Sequence, residues 1–211
     1  MATLLQTALS LLCLTAASAA KPIHQTSSAL DRRTSSSSLC RAAGETKTMW
    51  MPDTWNIYPQ QPNFSQNTTT SGLEVEAFDG KSQLEQVVAF RGIPRDATSC
   101  TLGWSQADRT NRTFLVDGDS ALVSVRPLSA MPKQPVTYGA VDELDDEEKD
   151  KELHPDFTFW DDSEGAAGHT AGGVDCAEDM YFRIALADPK VKSHVYLGSD
   201  EQNGLWLEYS C

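Results

Sequence analysis

From Trp50 onward, short apolar runs alternate with polar residues at a period of two, and clusters of Gly, Pro, Asn and Asp separate them. Successive side chains of a strand point to opposite faces. Such a pattern therefore marks strands with one face in a core and the other in water. Leu73, Val75 and Ala77 alternate with Glu74 and Glu76, and Ala121, Val123 and Val125 line one face of the next clear example. Met180, Phe182, Ile184 and Leu186 alternate with Tyr181, Arg183 and Ala185, and Leu205, Leu207 and Tyr209 repeat the theme near the end. Further strands are predicted at 86–90, 100–105, 113–117, 157–160 and 194–198. That makes about nine or ten short strands. No stretch sustains an apolar period of 3.6, and the charged run 141–153 is the best helix candidate. The expected fold is all-β, an antiparallel β-sandwich of jelly-roll type. Asp117-Gly118, within 116–120, reads as a hairpin turn, because Asp-Gly supplies the positive φ such turns need.

The alternation does not extend to the beginning of the chain. Residues 1–20 have a short apolar centre, Leu4 to Leu14, followed by Ala16-Ala17-Ser18-Ala19-Ala20, which is the pattern of a secretory signal peptide. A membrane span needs about twenty apolar residues, more than this centre holds. The final LWLEYSC lacks a hydrophobic tail, so no membrane anchor is expected. Residues 21–48 are Ser/Thr-rich with few apolar positions. They read as a disordered linker or pro-segment, with Arg32-Arg33 as a candidate processing site. The domain is expected over 49–211. Within it, 142–152 holds eight acids and two lysines and reads as a solvated insertion. The Gly/Ala-rich stretch 163–174 reads as a second, mobile insertion.

A leader of this kind implies an extracellular, secreted protein, and it changes how several residues are read. Cys13 leaves with it, and Cys40, Cys100, Cys176 and Cys211 remain. Their spacing of 35 residues or more is too wide for a zinc site built on close pairs, so two disulfides are expected, with three connectivities open. Cys100–Cys176 with Cys40–Cys211 is favoured, because it ties two core segments together and then the two ends of the domain. Asn63, Asn67 and Asn111 each begin an N-glycosylation sequon. A net charge of −13 disfavours nucleic acid and anionic membranes as partners.

The chemistry-bearing residues favour bland readings. Gly118-Asp119-Ser120 has the letters of a serine-esterase block, but it falls between predicted antiparallel strands. Glu74 and Glu76 share a strand face and could be a glycosidase pair, although their alternation marks a face that simply meets water. Asp161, Asp162 and Glu164 could contribute to a calcium site but lack EF-hand spacing. His154, His169 and His194 form neither HxH nor HExxH. No catalytic residue, metal or cofactor is expected. Of five tryptophans, Trp160 and Trp206 fall opposite the apolar stripe of their segments, making them the candidate ligand-facing aromatics.

Val87-Val88-Ala89-Phe90-Arg91-Gly92-Ile93-Pro94 is followed by Cys100-Thr101-Leu102-Gly103-Trp104, and later come Cys176, Met180-Tyr181-Phe182-Arg183-Ile184 and Gly204-Leu205-Trp206-Leu207-Glu208-Tyr209. Over roughly Trp50 to Cys211 the chain resembles the fungal secreted family named for the C-terminal domain of the ubiquitin-3 binding protein, the But-two family. The resemblance implies a mostly β domain without established catalytic residues. It also implies a strand that ends in a tight turn before Pro94, with Cys100 entering the next. The expected function is non-catalytic binding of a cell-wall carbohydrate or a surface protein. A polysaccharide-active hydrolase and a ubiquitin-pathway binding protein are the alternatives.

Overall fold

The computed structural model describes residues 40, 44–67, 69, 71–144 and 151–211, all in one unit of the chain. The predicted leader, His24, Arg32-Arg33 and residues 145–150 lie outside the described residues. The strands are β1 (Thr46–Trp50), β2 (Asp53–Ile57), β3 (Gly72–Phe78), β4 (Lys81–Arg91), β5 (Ser99–Gln106), β6 (Phe114–Gly118), β7 (Val123–Leu128), β8 (Ala167–Val174), β9 (Asp179–Leu186), β10 (Ser193–Gly198) and β11 (Gly204–Ser210). One short helix, α1 (Tyr138–Asp142), lies between β7 and β8.

These strands form two antiparallel sheets. The smaller has the order β1-β11-β5-β8, and the larger β6-β10-β3-β4-β9-β7 with β2 also on β4. Their inner faces share one core. Leu102, Trp104, Leu205 and Leu207 come from the small sheet, and Leu73, Val75, Val88, Phe90, Phe182, Ile184, Val195 and Leu197 from the large one. The fold is the predicted all-β antiparallel sandwich, and the alternations at β3, β9 and β11 aim their apolar residues inward as read.

β4 is buried on both faces. Its Val88 and Phe90 enter the main core, whereas Val87 and Ala89 join Trp55, Ile57, Leu128, Val136 and Val141 in a second, smaller one. The segment carrying α1 therefore covers part of the outside of the large sheet. Thr137 caps that helix by accepting from the Ala140 N–H. Where β3 parts from β4, the side chain of Gln86 continues the ladder. It accepts from Glu74 N–H and donates to Gly72 O and Asn56 Oδ1.

Six strands side by side would hold the edges β6 and β7 about 24 Å apart in a flat sheet. The connection from Gly118 to Val123 reaches at most about 18 Å. The large sheet is therefore strongly curled, and the register shift between Glu76 and Ala77 is one point where it bends.

Several sequence expectations are corrected here. The 116–120 segment is not a hairpin, since β6 and β7 occupy opposite edges of the large sheet. Gly118 serves close approach instead: a Cβ there would lie 2.3 Å from Lys192 O. The hairpin turn is Asp79-Gly80, with φ of 54° and 72°, between β3 and β4. Residues 157–160 form turns, not a strand; Phe157 and Trp160 turn inward from a loop. The Gly/Ala-rich 163–174 stretch contains β8, paired with β5 from Gln106↔Ala167 to Cys100↔Val174. Of the charged run 141–153 predicted as a helix, Val141 and Asp142 end α1 and Glu143 and Leu144 form a turn, while 145–150 lie outside the described residues. The ordered sandwich also begins before residue 49, because β1 pairs with β11 from Thr46↔Ser210 onward.

Disulfides join Cys40 to Cys211 and Cys100 to Cys176, with Cα separations of 5.4 and 5.3 Å. Both match the favoured pairing, and two such bonds fit an oxidising compartment. Among the described residues no helix is long and apolar enough to cross a membrane.

Candidate functional site: the outer face of the small sheet

Because β1, β11 and β5 alternate, the residues facing away from the core of the small sheet are fixed by register. Trp50 opposes Trp206, and Trp206 opposes Gly103. Thr48 opposes Glu208, which opposes Thr101. Ser105 and Thr170 extend the same face toward β8. It is a surface of hydroxyls and glycine with two indoles and one carboxylate.

On this face the Trp206 side chain reaches across to β5. A Cβ on Gly103 would be 2.1 Å from Cζ2 and 2.3 Å from Cη2 of Trp206, so the indole occupies the space a side chain would take. Gly within a strand marks such a close approach. The indole Nε1–H donates to Ser105 Oγ at 2.8 Å, which pins the ring in its own plane. Trp50 stands beside it, with centroids 6.5 Å apart and planes at 57°. The indole is thus held over Gly103 on the outer side of the sheet, half-buried. The surrounding Thr and Ser hydroxyls can each donate and accept. An apolar ring beside hydroxyl donors and acceptors suits a pyranose, which has an apolar C–H face and a polar rim.

The structure does not bring Trp160 to this site. Trp160 packs on the core side, 6.1 Å from Trp104 and 4.0 Å from His169 between ring centroids. Its loop is held by Arg112, whose guanidinium donates to the carbonyls of Ala107, Trp160, Asp161 and Ser163. Trp104 is fully buried, stacked between Phe157 and His169. Trp55 is buried in the second core. Trp50 joins Trp206, a partnership that sequence reasoning missed because the first three residues of β1 fell inside the supposed linker. The seat at Gly103 was also missed; a lone Gly on the polar face of a strand, between Thr101 and Ser105, was the available signal.

The remaining candidates are dispersed. Glu74 lies 3.5 Å from His194 Nε2 on the outer side of β3 and β10, and Tyr196 opposes Glu74 in register. Asp161 Oδ2 accepts from the Val116 N–H at the sheet edge, and Glu164 pairs with Arg109. Among the described residues no three His, Cys, Asp or Glu side chains gather as a metal site. Burial lowers the pKa of His169 below its ordinary value. Ser120 lies in the β6–β7 connection. Asn63, Asn67 and Asn111 are all exposed, the first two in the β2–β3 loop and Asn111 before β6. Comparison of the chain with known protein-family models and with curated proteins finds no match.

Proposed function

We propose that this chain is a secreted, non-catalytic β-sandwich protein that binds a cell-wall polysaccharide on the outer face of its small sheet. The observation that carries this reading is Trp206, held over Gly103 and tethered to Ser105 amid a field of hydroxyls. The leader sequence, the two disulfides and the exposed sequons support an extracellular glycoprotein. The likeness to the But-two C-terminal family supports a fungal origin and a binding role. The same leader and disulfides favour a wall or surface ligand over a ubiquitin-pathway partner.

The test is retention of the full secreted chain on insoluble chitin, β-glucan and cellulose. Wild type should be retained on at least one of them, and Trp206→Ala should lose at least tenfold in retention. Trp206→Phe should keep an intermediate level. No retention of wild type, or equal retention of Trp206→Ala, overturns the reading. N-terminal sequencing of the secreted product should begin near Ala20, and enzymatic deglycosylation should lower its mass.

A further inference from the structure

Residues 153–157 hydrogen-bond along the outer side of β7, and a cleft of about 490 Å³ is lined by the ends of β7 and β8, by residues 151–153 and by β9. That volume lies in the range of about 300–1,000 Å³ in which proteins hold small molecules. Its floor is apolar and belongs to the main core: Met180 and Phe182 from β9, with Leu153 and Val174 packed beside them. Its mouth is polar and bears Lys151, Glu152, Asp175 and Asp179.

Each charge at the mouth is already engaged. Lys151 Nζ lies 2.8 Å from Asp175 Oδ2. Glu152 accepts from Ser124 and lies 3.5 Å from Arg126 Nη2. Asp179 accepts from Gly92 N–H at 3.2 Å and from the Tyr181 hydroxyl at 3.3 Å. A ligand carboxylate would have to displace Asp175 from Lys151 and then face the other acids. A ligand ammonium at Asp175 or Glu152 would stand beside the cation, Lys151 or Arg126, that already holds that carboxylate. A hydroxyl can donate to one carboxylate and accept from the ammonium without breaking either pair.

We propose that this cleft is a second binding site, for an uncharged amphiphile: an aliphatic chain on the Met180–Phe182 floor with a hydroxyl headgroup at the Lys151–Asp175 pair. It is separate from the Trp206 face and stands without it. The test uses N-phenyl-1-naphthylamine, a neutral dye that brightens in apolar sites, on the full secreted chain. Decanol, decanoate and decyltrimethylammonium then serve as competitors. The expected result is saturable brightening, with decanol displacing the dye at a concentration at least tenfold below the two charged competitors.

Leu153→Trp, which fills the cleft, should weaken dye binding at least tenfold with the near-ultraviolet dichroism of a packed fold retained. Should that variant not fold, Ser129→Trp at the exposed mouth should block the dye without touching the core. Absence of saturable brightening, or unchanged dye binding in folded variants, overturns the site. Equal competition by decanoate or the ammonium overturns the hydroxyl assignment.

Discussion

A Cβ placed on Gly103 would lie 2.1 Å from the ring of Trp206 and 2.5 Å from the backbone oxygen of His169 on β8. Gly103→Val should therefore lift the indole and reproduce the binding loss of Trp206→Ala. The accompanying overpacking should cost about 1–3 kcal/mol, read from denaturant melts. Gly103→Val with wild-type retention would separate the ring's position from binding. His169 offers a second residue-scale prediction. Its ring stacks on Trp104 with centroids 3.9 Å apart, its Nε2 is buried with no hydrogen-bond partner among the described residues, and burial holds its pKa below the ordinary histidine value. The unfolded chain then binds the proton more readily than the folded one. The stability that the neutral ring confers is complete above about pH 6.5 and is lost as pH falls from there through the lower folded value. His169→Phe should flatten the thermal midpoint over that range, and an unchanged slope would show that other groups set it.

At the level of elements, α1 and β9 meet through charge. Arg183 is on the outer face of β9, with Nε 2.7 Å from Glu85 Oε2 on β4, and its guanidinium lies 4.9 Å from the Tyr138 ring centre and 3.7 Å from Asp142. Its side chain is only 10% exposed and that of Glu85 only 5%. Glu85→Ala takes the nearest carboxylate from a buried guanidinium and should cost about 3–5 kcal/mol. Glu85→Leu with Arg183→Met should recover most of that loss, because apolar replacements of a buried pair remove the desolvation cost as well. Calorimetry on the single and double variants checks both statements. This buried pair also shows what a sequence pattern conceals. The alternation of Met180 to Leu186 was legible and gave the inner face correctly, but it cast Arg183 as solvent-facing. Only the return of the α1 segment over the sheet buries it. β8 was illegible for the opposite reason: three glycines and three small residues carry no apolar period, and the strand exists because β5 offers it a partner. The turn at 157–160 misled because Phe157 and Trp160 are apolar for core-plugging from a loop, which imitates a strand.

For the molecule as a whole, the sandwich class was legible because it follows from residue type and spacing, and the pairing favoured among three open connectivities is the one present. The proposed binding face was only half legible: alternation put Trp206 outside, but its partner Trp50 and its seat Gly103 depend on which strands become neighbours. Cys40–Cys211 encloses nearly the whole sandwich, with a sequence separation of 171 against 76 for Cys100–Cys176. Cys40→Ser with Cys211→Ser should destabilise by about 2–5 kcal/mol and raise the denaturant slope, as the unfolded chain expands. An unchanged midpoint in guanidinium would count against that bond as a constraint on the unfolded state. The same bond has a mechanical consequence. A pull applied across the two ends of the folded unit runs through sulfur and bypasses the β1–β11 hydrogen bonds, so tension cannot unzip those strands until the bond is reduced. On the proposed reading, a protein gripping a solid wall through Trp206 would carry shear at its ends without surrendering the shape of its grip.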